Sequence, residues 1–142
     1  MKSFYITKGF QIVGGLKGPE SYWTASSEVK SLNCNGCGEG GWKGNLVPDT
    51  VWGLSVTACC NIHDWMYGEG VTEDDRDFAD LVFLNNMLNT VDTAEKTPHL
   101  RWLFAPLRFV LAAARRHRVW IYYGAVRYVG QTAFDGATIA EG

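Results

Sequence analysis

The segment Cys59-Cys60-Asn61-Ile62-His63-Asp64-Trp65-Met66-Tyr67 decides the fold, because it places four reactive side chains on one predicted helix. An α-helix has 3.6 residues per turn, so Cys60, His63, Asp64 and Tyr67 fall within one face about 100° wide. A thiol, an imidazole, a carboxylate and a phenol therefore point toward the same region.

A glycine-rich segment, Gly36-Cys37-Gly38-Glu39-Gly40-Gly41, lies upstream of this helix. Glycine has no Cβ, so its backbone adopts conformations that other residues avoid and comes close to a ligand. Such a segment can direct several backbone carbonyls at one cation. A hard cation such as Ca²⁺ takes oxygen ligands of this kind.

The two segments resemble the calcium-dependent phospholipase A2 family. That family has the pattern Cys-Gly-x-Gly-Gly, then Cys-Cys-x-x-His-Asp-x-x-Tyr, then an Asp on the next helix, which match Cys37–Gly41 and Cys59–Tyr67 here. The resemblance covers roughly residues 34–91. The stretch between the two motifs is longer than in the short animal enzymes, and most of the family's other cysteines are missing.

The resemblance implies a mainly α-helical fold. Two antiparallel catalytic helices would carry the site, a glycine-rich calcium-binding loop would lie against the first, and further helices would pack behind. We treat the 142 residues as one domain. Its parts are an N-terminal segment (1–33), the calcium loop with the catalytic helices (34–91) and a C-terminal helical segment (98–129).

The activity that the resemblance implies is calcium-dependent hydrolysis of the sn-2 ester of glycerophospholipids, without an acyl-enzyme step. His63 is the expected base, since an imidazole titrates near neutrality and takes a proton from water. The expected ligands of Ca²⁺ are the Asp64 carboxylate and three backbone carbonyls, those of Gly36, Gly38 and Gly40. The ion would bind the phosphate and the oxyanion, and the N–H of Gly38 would also donate to the oxyanion.

A base of this kind needs a hydrogen-bond acceptor behind its other ring nitrogen. The family places this Asp three residues before a Phe, and both Asp80 and Asp75 satisfy that spacing. We choose Asp80, because it lies beside the apolar face of the second helix. Asp75 is expected in the solvated first turn, where acids favour the helix dipole. Tyr67, one turn beyond His63, is expected to bond the chosen Asp.

The four cysteines leave alternatives open. Cys34-x-x-Cys37 has the spacing of a zinc knuckle, but Cys59 and Cys60 would point about 100° apart on a helix and would not easily share one tetrahedral ion. The resemblance implies a Cys37–Cys60 disulfide that ties the loop to the helix. Cys59 would then pair with Cys34 or stay a thiol, and in a reducing compartment all four could be thiols.

The chain shows further helix signals. The first helix is predicted to begin near Ser55 or Thr57 and to end at Tyr67. The second is predicted to begin at Thr72, with Asp75 three residues later in a capping-box pattern, and to end near Leu88 or Val91. Before them we predict a short hairpin in residues 4–13, around Lys8-Gly9, and a loop over residues 14–50. Residues 99–129 are predicted to be helical, with a break at Gly124 as an alternative.

Charge and composition bear on the partners. The net charge of −2 predicts no nucleic-acid partner, and the 46% apolar content is enough for a core. Acidic residues crowd positions 64–80, whereas positions 96–134 contain arginines and no acid. This suits a cation site beside a surface for anionic groups. A phospholipid substrate and a membrane surface are therefore the expected partners; the oligomeric state is not readable.

The aromatic and basic segment 98–129 has two interpretations. Its apolar face closes the core over the catalytic helices, or it lies on an anionic lipid surface. Residues 1–9 have no apolar stretch of signal-peptide length, which predicts a cytoplasmic protein or export by a non-classical route. The alternative functions are a non-catalytic phospholipase-like module for lipid binding or structure, and a zinc-stapled interaction domain.

Overall fold

The computed structural model describes residues 9–34, 48–97 and 105–136. These residues form five helices and two small hairpins, which confirms the mainly α-helical class. In chain order the elements are β1 (Phe10–Val13), β2 (Leu16–Pro19), α1 (Glu20–Thr24), α2 (Ser27–Asn33), β3 (Thr50–Val51), β4 (Leu54–Ser55), α3 (Thr57–Glu69), α4 (Glu73–Glu95) and α5 (Ala105–Gly136). The predicted calcium-binding loop lies outside the described residues.

The described N-terminal hairpin is β1–β2; residues 4–8 of the predicted hairpin lie outside the described residues. Strands β1 and β2 pair antiparallel with Val13 opposite Leu16, and the turn is Gly14-Gly15, with φ of 58° and 83°. Glycine adopts positive φ without steric cost, so this pair suits the tight turn better than Lys8-Gly9. The predicted loop over residues 14–50 was wrong where it is described, because β2, α1 and α2 lie within residues 16–33; its residues 35–47 lie outside the described residues.

Helices α3 and α4 are joined by a short turn and run antiparallel. Helix α3 has Val56 at its N-cap, without a side-chain cap, and ends before Gly70. Helix α4 begins with the predicted capping box: the Asp75 N–H donates to Thr72 Oγ1 at 3.2 Å, and the Thr72 N–H donates to Asp75 Oδ2 at 2.9 Å. Both helices continue past their predicted ends, to Glu69 and Glu95.

Helix α5 is continuous across Gly124, so the alternative of a break there was wrong. It packs against α4, and its buried apolar residues include Ala112, Val119, Tyr122 and Val126, whose spacings of seven, three and four place them along one side of the helix. Burial of this face outweighs the cost of about 1 kcal/mol that a glycine adds to a helix interior. Within the described residues, no helix is both long and apolar enough to cross a bilayer.

The core lies between α3, α4 and α5. Its largest fully buried side chains on the first two helices are those of Ile62, Met66, Tyr67, Phe83 and Met87. The hairpin β3–β4 closes the core from the side of α5, where Tyr122 Oη donates to the Thr50 carbonyl at 2.8 Å. The interior therefore holds the face of α3 that carries the reactive side chains.

Candidate active site

The centre of the site is a contact between His63 on α3 and Asp80 on α4. His63 Nε2 lies 2.8 Å from Asp80 Oδ1, and both side chains are fully buried. Removing a carboxylate and an imidazole from water is costly unless each finds a partner. The antiparallel helix pair supplies that partner by placing two residues 17 positions apart in the sequence side by side.

Two further donors complete the environment of Asp80. Tyr67 Oη donates to Oδ1 at 2.6 Å, and Arg127 Nη1 on α5 donates to Oδ2 at 3.0 Å. Burial by itself would raise the pKa of Asp80, but hydrogen bonds from His63, Tyr67 and Arg127 outweigh it, so this pKa lies below its usual value. Asp80 is therefore an ionised acceptor at neutral pH.

The ionised carboxylate determines how the neutral His63 ring is protonated. A carboxylate only accepts hydrogen bonds, so Nε2 carries the proton and donates it to Asp80, which makes Nδ1 the basic nitrogen. Burial and the charge of Asp80 raise the pKa of Tyr67, so its phenol stays a donor. The His63 ring is held between the rings of Tyr67 and Phe83, with centroid distances of 4.1 and 4.8 Å.

Asp75 has a different place from the one predicted. It is fully buried, not solvated, and its Oδ2 accepts from the backbone N–H groups of Val71 and Thr72 at 3.0 and 2.9 Å. These bonds satisfy amides at the start of α4 that have no partner within the helix. Asp75 thus caps α4, and Asp80 is the residue paired with His63.

Asp64 follows His63 on α3 and is half-buried. It is the one member of the predicted calcium-ligand set within the described residues, since Gly36, Gly38 and Gly40 lie outside them. Among the described residues, no group of three or more His, Cys, Asp or Glu side chains could hold a metal ion. The Asp64 carboxylate is of the ligand type that a hard cation takes.

The three described cysteines differ in state and partners. Cys60 is in a disulfide, and Cys37, its expected partner, lies outside the described residues. Cys34 and Cys59 are thiols: the Cys34 thiol donates to the Asn61 carbonyl at 3.3 Å, and the buried Cys59 sulfur lies 3.5 Å from Thr90 Oγ1. Because Cys60 is not a thiolate, this arrangement does not favour the zinc-stapled alternative.

Helix α5 contributes residues that the sequence reasoning missed. Besides Arg127, it brings Gly130 against Tyr67, so close that a Cβ at position 130 would lie 2.6 Å from the Tyr67 hydroxyl. The ring of Phe134 packs edge-on against Tyr67, with centroids 5.6 Å apart. Arg127, Gly130 and Phe134 are spaced three and four apart, so they share one helix face. This spacing of three and four residues was the feature of the sequence that could have placed them together on one face of α5.

No protein-family model, no curated protein and no solved structure matches this chain. We therefore base the function on the chemistry of the residues described above.

Proposed function

We propose that the protein hydrolyses the sn-2 ester of glycerophospholipids in a calcium-dependent reaction, as a phospholipase A2-type enzyme. The observation that carries this proposal is the buried His63–Asp80 pair with its further donors Tyr67 and Arg127. An ionised carboxylate behind an imidazole is expensive to bury. It is also the arrangement that a histidine base requires, because it fixes the tautomer and stabilises the imidazolium that forms.

In the proposed reaction, His63 Nδ1 takes a proton from a water molecule, and the water oxygen attacks the ester carbonyl carbon. The imidazolium is stabilised by Asp80, which stays ionised through its bonds from Tyr67 and Arg127. The tetrahedral intermediate then collapses, the bond between the carbonyl carbon and the sn-2 oxygen breaks, and His63 returns the proton to that leaving oxygen, so that a fatty acid and a lysophospholipid are released and the base is regenerated. Asp64, with the carbonyls of the glycine-rich segment, would hold Ca²⁺, which supplies positive charge for the oxyanion and the substrate phosphate.

A membrane surface is the proposed partner, and the outward face of α5 with the β3–β4 turn supports it. Large apolar side chains stay exposed there: Trp52, Leu107, Val110, Ile121 and Tyr128. Trp52 occupies the turn with φ of 47°, a conformation that costs a residue with a Cβ, and the Arg118 guanidinium lies 5.6 Å from its ring centroid. Aromatic and cationic groups together suit the headgroup region of an anionic bilayer.

The same surface also suits the second candidate function, a non-catalytic lipid-binding module. Such a module would bind vesicles without turning lipid over. The His63–Asp80 pair favours the enzyme, because lipid binding alone gives no reason to bury an ionised carboxylate behind a histidine.

The test is hydrolysis of a soluble short-chain phospholipid, with Ca²⁺ and with a chelator. We expect turnover that needs Ca²⁺ and that falls about a hundredfold or more in His63→Gln, because glutamine cannot accept the proton. The control is His117→Gln, which replaces an exposed histidine of α5. Asp64→Asn should weaken Ca²⁺ binding in titration calorimetry. A folded His63→Gln protein with wild-type turnover would remove His63 from the mechanism, and vesicle binding without hydrolysis would favour the module.

A further inference from the structure

We propose that Arg127 is a positioning residue of the site: its guanidinium holds the Asp80 carboxylate in the orientation that presents Oδ1 to His63. Helix α5 thereby becomes part of the site, although the two sequence motifs lie upstream of it. The kinetic consequence of this inference rests on the proposed hydrolytic function. The orientation of His63 and Asp80 can be measured without it.

The two oxygens of Asp80 have separate partners. Oδ1 bonds to His63 and Tyr67, both on α3, whereas Oδ2 accepts from Arg127 on α5. The terminal torsion of an Asp side chain is broad, so bonds to one oxygen leave the carboxylate plane poorly fixed. The bond at Oδ2 fixes that plane.

Arg127 also bonds a second acid of α4, which belongs to a small polar network between α4 and α5. Its Nη1 also bonds Asp77, one turn before Asp80, and Asp77 accepts from Arg76, which in turn bonds Gln131 of α5. Arg127 and Gln131 are four residues apart, so both reach α4 from one face of α5. Asp77 thus gives Nη1 of Arg127 a second carboxylate partner on α4, beside Asp80.

The two acids that Arg127 contacts differ in burial, and burial determines how strong each ion pair is. The Asp77 side chain is 49% exposed, so water and salt screen that ion pair. The Asp80 side chain is 0% exposed, and there the pairing acts in a low dielectric. When His63 is neutral, the described side chain that brings a positive charge to Asp80 through a hydrogen bond is Arg127. Its charge therefore holds Asp80 as an anion in the resting site.

The experiment compares Arg127→Met and Arg127→Lys with the control Arg116→Met. Arg116 also lies on α5 and also bridges to acids of α4, Asp92 and Glu95, but it does not bond Asp80. For Arg127→Met we expect kcat to fall about tenfold to a hundredfold, the cost of a misoriented catalytic pair, with KM and Ca²⁺ affinity within about twofold of wild type. Arg127→Lys keeps the charge and should recover part of kcat, whereas Arg116→Met should change kcat by less than about twofold.

A second readout does not depend on hydrolysis. Long-range ¹H–¹⁵N correlation spectra of the His63 ring should show only the Nε2–H tautomer in the wild-type protein and in Arg116→Met, and a mixture of tautomers in Arg127→Met. If the wild-type protein hydrolyses no phospholipid, the proposed function fails, but the spectra still test Arg127. If Arg127→Met does not fold, Arg127→Lys decides both readouts, since it keeps the charge but replaces the guanidinium whose Nη1 bonds Asp80 by a flexible ammonium. A wild-type kcat with an unchanged tautomer, or an equal loss in Arg116→Met, would overturn the inference.

Discussion

Replacement of Gly130 by alanine tests how α5 meets the site. An alanine Cβ at this position would lie 2.6 Å from the Tyr67 hydroxyl oxygen and 3.6 Å from its Cζ. The nearer distance is well inside van der Waals contact, so Tyr67 or the backbone of α5 must shift. Because the same hydroxyl bonds Asp80 at 2.6 Å, a shift of Tyr67 breaks that bond.

Free-energy contributions of opposite sign set the change in stability that we expect for Gly130→Ala. Alanine is about 1 kcal/mol better than glycine inside a helix, which favours the variant. The lost hydrogen bond to an ionised acceptor costs about 1.5–3 kcal/mol, and overpacking of a filled core costs about 1–3 kcal/mol. We therefore expect the free energy of unfolding to fall by about 1.5–5 kcal/mol.

The control is Gly124→Ala on the same helix, where no described atom lies within 4 Å of the new Cβ. It should raise the free energy of unfolding by about 1 kcal/mol. Urea unfolding followed by circular dichroism measures both variants, and a constant m-value shows that the midpoints report stability.

A double-mutant cycle with Tyr67→Phe separates the clash from the other terms. Without the hydroxyl there is neither an oxygen to clash with nor a bond to break, so Gly130→Ala should cost less in that background. If Gly130→Ala stabilises the protein as much as Gly124→Ala does, or costs the same in both backgrounds, the packing of Tyr67 against α5 described here is wrong.

Three other predictions follow from single features. Asp75→Asn removes the charged acceptor at the start of α4 and should lower the free energy of unfolding by about 1–2 kcal/mol in urea titrations, while the folded protein keeps its turnover. Folding depresses the pKa of Asp80. The contribution of Asp80 to stability is therefore complete above its unfolded pKa of about 3.9 and is lost as the pH falls through its lower folded pKa. The free energy of unfolding of Asp80→Asn should depend less on pH in that range. Trp52→Ala should weaken sedimentation with anionic phospholipid vesicles, whereas Ile12→Ala, which removes an apolar side chain that is 67% exposed on the other hairpin, should not. Equal binding by both variants would exclude the β3–β4 turn from the lipid surface.

Much of the helix pair was predictable from the sequence, because its signals are local. The capping box was visible as Thr72 and Asp75, and the periodicity of 3.6 placed His63 and Tyr67 on one face of α3. The choice of Asp80 over Asp75 as the partner of His63 depended on helix geometry, and the structure places Asp80 there. The catalytic and calcium-binding roles of these residues stay predictions.

The burial of Asp75 and the hairpin turn at Gly14-Gly15 were not predicted. Acids in a first helical turn are usually solvated, so the local pattern alone favoured an exposed Asp75. Other parts of the same chain bury Asp75 instead. Gly70 lies between Asp75 and Phe134 of α5, so that a Cβ on Gly70 would lie 3.1 Å from Asp75 and 2.8 Å from Phe134. Such packing depends on α5, which lies far from Asp75 in the sequence.

The sequence by itself determined the helical class, the start of α4 and the set of reactive groups on α3, because each depends on residues within a few positions of one another. The tertiary structure alone decided that Arg127 bonds Asp80, 47 residues earlier, and that Gly130 leaves room for the Tyr67 hydroxyl. No local pattern specifies such pairs. They form because burying the apolar face of α5 against α4 brings distant polar groups out of water together, where each must find a partner.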